Sequence, residues 1–141
     1  MAPRELAIGD VFTEVVVDNL SRTQIVQYAG ASGDYNPLHS DEVYATEVAG
    51  YRSVFAHGML TMALSGKLLT NVFGPDRIAK FGVRFVGQVW PGDTLTATAT
   101  VADVREGQGR RLADLVLKTS NQEGADVLTG SAVVRLDGPI G

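Results

Sequence analysis

Gly58-Met59-Leu60-Thr61-Met62-Ala63-Leu64-Ser65-Gly66-Lys67-Leu68-Leu69-Thr70-Asn71-Val72-Phe73 is the longest helical signal in the chain. Its apolar residues fall on nearly every side, interrupted only by Thr61, Ser65, Lys67, Thr70 and Asn71. A helix of that composition is expected to be buried almost all round. Gly74-Pro75 ends it. Beyond Pro75 the texture becomes strand-like. Residues 78–89 set Phe81, Val83, Phe85 and Val89 on one face, and Trp90-Pro91-Gly92-Asp93 reads as a turn. Residues 94–104 alternate Thr with Leu, Ala and Val. A hairpin loop at 105–109, a strand at 110–120, a turn at 121–125 and a last strand at 127–136 follow. The second half thus reads as an antiparallel meander. One buried helix and a meander predict an α+β domain with the sheet wrapped around the helix. Such a sheet covers one side of the helix well, so a second copy of the chain is expected on the other.

Upstream, Val11–Val17 is β-branched and aromatic and reads as a first strand. Ser21-Arg22-Thr23-Gln24 matches a capping box for a helix over 22–31, whose buried face carries Ile25, Tyr28 and Ala29. Gly30 and Gly33 end it. Gly33-Asp34-Tyr35-Asn36-Pro37-Leu38-His39 is loop, since Pro37 lacks an N–H and pushes Asn36 out of the helical region. Ser40 or Asp41 caps a second, short helix reaching residue 48. An irregular connection leads to Phe55-Ala56-His57-Gly58-Met59-Leu60. Both histidines of the chain, His39 and His57, lie in this 33–60 span. A carboxylate, an imidazole and a free backbone N–H at a helix start are the parts of an acid/base site with an oxyanion donor.

Composition narrows the classes. The 141 residues fit one domain spanning 1–141, 45% of them hydrophobic and 20% charged, with a net charge of −4. That balance lacks the basic footprint of a nucleic-acid binder. With no cysteines there is no disulfide, thiolate nucleophile or Cys–zinc site. No His/carboxylate spacing suggests a metal, so none is expected. Met1-Ala2-Pro3-Arg4-Glu5 has no apolar targeting core, and no apolar run is long enough to span a bilayer. A cytoplasmic protein is the expectation.

The two elements Gly33-Asp34-Tyr35-Asn36-Pro37-Leu38-His39 and Ala56-His57-Gly58-Met59-Leu60, about two dozen residues apart, resemble the signature of the MaoC-like, (R)-specific enoyl-CoA hydratase family. The resemblance runs from the capped helix through the Trp90-Pro91-Gly92-Asp93 turn to the last strands. The chain's length is also similar to that of mycobacterial-type (3R)-hydroxyacyl-carrier-protein dehydratase subunits. The resemblance implies a hot-dog fold and a dimer of such domains. It implies reversible hydration of a trans-2-enoyl thioester to the (R)-3-hydroxyacyl thioester. CoA or acyl-carrier protein then enters as part of the substrate, with no metal or redox cofactor.

The resemblance assigns Asp34 and His39 to a shared water, activating it and returning a proton to C2. The Gly58 N–H, at the positive end of the helix, receives the charge that grows on the thioester oxygen. Asn36 shapes the loop or holds Asp34 and the water. Ser65 lies one residue from the position at which relatives support the carboxylate. His57 reads as a structural histidine bonded to nearby backbone, and Met59 as core or acyl-pocket lining. Read alone, Gly-Asp-Tyr-Asn-Pro would be an Asx-turn with a turn carboxylate. The second element favours catalysis instead. A hot-dog acyl-thioesterase and a hydratase subunit active only with a second hot-dog chain are the alternative readings.

Overall fold

The computed structural model describes residues 6–107 and 109–136. The N-terminal segment Met1-Ala2-Pro3-Arg4-Glu5 and Gln108 of the expected hairpin loop lie outside these. Five strands form one antiparallel sheet: β1 (Val11–Val17), β2 (Ile78–Phe85), β3 (Leu95–Gly107), β4 (Arg110–Ser120) and β5 (Asp126–Arg135). Their order is β1-β3-β4-β5-β2. Two helices, α1 (Arg22–Ser32) and α2 (Gly58–Phe73), join β1 to β2 together with short 3₁₀ and π turns.

The meander expectation holds for β3, β4 and β5. It does not hold for β2, which pairs with β5 through Ile78↔Val134 to Phe85↔Leu128 and so lies at the far edge of the sheet. The turn at Trp90–Asp93 is therefore part of a crossover and not a hairpin. β2 also stops at Phe85, short of the expected residue 89. Val86 and Gly87 both donate to Val127 O as the chain leaves the sheet, yet Val89 still packs into the core.

Inward-facing Leu95, Ala97, Ala99 and Val101 on β3 alternate with half-exposed threonines. With Ala113 and Ala132 on the neighbouring strands they give the middle of the sheet a low floor against which a helix can lie close. α2 lies across it, burying Leu68, Leu69 and Phe73, with Phe73 edge-on to Phe12 of β1 at 5.7 Å. The helix is not buried all round. Met59 and Ala63 are exposed with Lys67, Thr70 and Asn71, and the buried line runs through the hydroxyls Thr61 and Ser65. One sheet covers one side, and the hydroxyls are tolerated there because they are satisfied. Ser65 Oγ bonds Thr61 O at 2.8 Å and Thr119 Oγ1 of β4 at 2.7 Å.

Candidate active site

The capping box at Ser21 forms as expected, with Gln24 N donating to Ser21 Oγ and Ser21 N to Gln24 Oε1, each at 3.0 Å. It fixes the start of α1, and Gly33 in the left-handed region (φ 77°) fixes its end by donating to Ala29 O. The chain then folds on its own side chains. Asp34 N donates to Ser32 Oγ, Asn36 N to Asp34 Oδ1, and Leu38 N to Asn36 Oδ1. Asn36 is thus the cap of a 3₁₀ turn over Pro37–His39. Its side chain shapes the loop, as expected, and its backbone N–H also holds the Asp34 carboxylate. Asp41 caps the next turn through Tyr44 N. Glu42 there accepts from Arg22 of α1 and from Val54 N, and the Arg22 partner holds its carboxyl below the ordinary range.

This bracing presents His39. Its Nδ1 lies 2.6 Å from Phe55 O, while Phe55 N donates to Leu38 O. A carbonyl only accepts, so Nδ1 carries a proton and Nε2 is the nitrogen not engaged by Phe55. His57, buried at 2% exposure, sets its Nε2 3.1 Å from Asp34 O, so there Nε2–H is the donor. The two imidazoles stack at 3.8 Å and 24°. Tyr28 of α1 lies 4.9 Å from the His57 ring. One polar atom from each of Asp34, His39 and His57 falls within 4.8 Å of the other two. That is the reach of two hydrogen bonds meeting at one water.

His57 is also the N-cap residue of α2, and its carbonyl accepts from Leu60 and Thr61. The Gly58 N–H makes no hydrogen bond among the described residues and stands at the positive end of α2. Asp34, His57 and Gly58 open onto a cavity of about 500 Å³, completed by Tyr28, Ser32, Met59 and Phe85. Met59 sits at its rim, 56% exposed, and is not a core residue. Ser65 does not support Asp34: its hydroxyl is taken by Thr61 and Thr119 on the sheet side. Sequence reasoning missed Phe85, whose ring comes within 3.1 Å of a Cβ built on Gly58. It also missed the Phe55 carbonyl, which has no side-chain signature to find.

Two histidines and a carboxylate also match the composition of a metal site. His39 Nδ1 and His57 Nε2 are each engaged by a carbonyl, which leaves one ring nitrogen of each unbonded to protein among the described residues.

An antiparallel sheet around a central helix defines a hot-dog domain, here with an Asp/His cluster beside the helix's N-terminal end. The pattern of the MaoC like domain matches residues 5–122, and the chain belongs to that family. It is 33% identical over 120 residues to the (R)-specific enoyl-CoA hydratase of Aeromonas caviae, covering 80% of this chain and 84% of that protein. A solved structure of the (R)-hydratase from A. caviae involved in PHA biosynthesis superimposes with a TM-score of 0.81 at 28% identity. That match covers 96% of this chain and all of the other. The 3-hydroxyacyl-thioester dehydratase Y of Mycobacterium tuberculosis is 40% identical over 68 residues, 46% of this chain. This chain spans only 23% of that protein's length.

Proposed function

We propose that the chain is an (R)-specific enoyl-thioester hydratase, reversibly adding water to a trans-2-enoyl thioester by the action of Asp34 and His39. The observation that carries this is the pair of contacts Asp34 makes: its carboxylate lies within reach of His39, and it shares a cavity with Gly58 at the head of α2. The similarity to the A. caviae hydratase over most of both chains supports it. A water between the Asp34 carboxylate and His39 Nε2 loses a proton to the pair as its oxygen bonds to C3. The pair returns one proton to C2, so it ends each turnover as it began. The Gly58 amide stabilises the negative charge on the thioester oxygen meanwhile. Ser32, Tyr28, Met59 and Phe85 would line the acyl path.

In this reading the whole chain acts as one domain. No metal or redox cofactor takes part, and CoA or acyl-carrier protein arrives with the substrate. No helix among the described residues is long and apolar enough to cross a membrane, which fits the cytoplasmic location proposed here. A homodimer is proposed as the working form.

The test is the purified chain with crotonyl-CoA, following loss of the enoyl chromophore and resolving the 3-hydroxy product by chirality. Formation of the (R)-product supports the reading. Release of free CoA without hydration would make the chain a thioesterase. Activity appearing only when a second hot-dog chain is added would make it a subunit.

A further inference from the structure

We propose that His57 is a positioning residue that ties Asp34, His39 and the Gly58 amide into one rigid unit while remaining an uncharged Nε2–H imidazole. The inference rests on the hydratase reading for its kinetic consequences, but the tautomer stands on geometry alone. Among the described residues His57 meets all three parts of the site. Its Nε2–H holds the Asp34 carbonyl at 3.1 Å. Its ring lies against His39 at 3.8 Å. Its own carbonyl side forms the peptide bond that carries the Gly58 N–H. Among the described residues no other bond of the kind joins the Asp34 loop to the head of α2: the remaining ties of that loop to this segment reach Phe55 from Leu38 and His39.

The second nitrogen decides the charge state. His57 Nδ1 is buried and has no hydrogen-bond partner. In the Nε2–H form it is only an unused lone pair. A proton there would be a buried donor without an acceptor, on a cation stacked against His39. Burial accordingly pushes the His57 pKa below the ordinary imidazole value, and charge on His39 pushes the same way. The Asp34 carbonyl and the Asp34 carboxylate oppose them. Tyr28, Asp34 and His39 are the titratable groups that face the ring.

Substitution separates this role from plain packing. Gln can offer its amide N–H where His57 has Nε2–H, whereas Phe keeps a ring and has no donor. His57→Phe is expected to lower kcat by about 10- to 100-fold with KM within about threefold, because the Asp34 backbone loses its tie and small misplacements are costly. His57→Gln is expected to run at least about tenfold faster than His57→Phe. It should also retain the acid limb of kcat against pH, since the titrating group is not His57. Equal kcat in wild type and His57→Phe would overturn the proposal. Loss of the acid limb in His57→Gln would do so too, making His57 the acid/base itself. Should the variants fold poorly, nitrogen NMR of the wild-type chain reads the tautomers without turnover. A protonated Nε2 and bare Nδ1 at neutral pH are expected for His57, and a charged ring or an Nδ1–H form would overturn the assignment. A wild-type chain that fails to hydrate any enoyl thioester would instead remove the hydratase reading and leave the tautomer result standing.

Discussion

In the proposed mechanism Asp34 and His39 bring different qualities to one water. The imidazole is fixed, with Nδ1 spent on Phe55 O and an edge-on Phe55 ring 5.2 Å away. Among the described residues the carboxylate accepts only from Asn36 N at 3.3 Å, and Asp34 lines the cavity. Asp34→Asn and His39→Ala are each expected to lower kcat by at least about 100-fold with the fold intact, as for general acid/base groups. Turnover near wild type in either, with an unchanged circular dichroism spectrum, would remove the mechanism. Gly58→Ala asks a different question. The added Cβ would lie 3.1–3.3 Å from three atoms of the Phe85 ring, which is 46% exposed and can yield. The N–H survives the substitution, so kcat/KM is expected to fall by about tenfold through lost room rather than lost charge stabilisation. A thermal midpoint that collapses with the activity would show the contact to be structural instead. The pair was legible in the sequence because side-chain identities carried it: Asp, Asn-Pro and His at fixed spacing. The reading of His57 as a histidine bonded to backbone also holds, but its partner, Asp34 O, was not legible. The bond joins a ring to a main-chain carbonyl 23 residues upstream, and carbonyls leave no mark on a sequence.

At the scale of elements, α2 was legible from Gly58 to Phe73 because its ends are marked by glycines and its interior by leucines. Which of its faces meets the sheet was not, because apolar residues lie on every side. The decision falls to Thr61 and Ser65, polar residues that composition alone would turn outward. Ser65 and Thr119 are buried at 5% and 1% exposure and bond to each other at 2.7 Å. Ser65→Ala leaves the Thr119 hydroxyl without its partner and should cost about 1–3 kcal/mol in urea denaturation. The double variant Ser65→Ala/Thr119→Val should recover part of that loss, since it removes both polar groups. In neither should kcat change more than a few-fold. A large drop in kcat at full stability would restore a supporting role for Ser65 toward Asp34.

The whole molecule depends on β2 crossing to the far edge, where it pairs with β5 and delivers Phe85 to the cavity. Local periodicity could not predict that order, since Phe81, Val83 and Phe85 alternate equally well beside β3. The seam is tight at Gly130, where a Cβ would collide with Gly82 O and lie 3.0 Å from Val83 Cα. The neighbours there are backbone and cannot rotate away, so Gly130→Ala is expected to destabilise by about 2–4 kcal/mol. β2 is also an open edge, and an unpaired edge invites another strand. Around it lie Phe85 at 46%, Val86 at 49% and, across the cavity rim, Met59 at 56% exposure. Apolar side chains left open beside an unpaired edge and the candidate site favour a second copy that covers the edge and closes the cavity. Light scattering should therefore give twice the chain's 15.0 kDa, and dilution should reduce mass and activity together. A fully active species at the single-chain mass would mean that the cavity bounded by Phe85 and Met59 is complete in one copy.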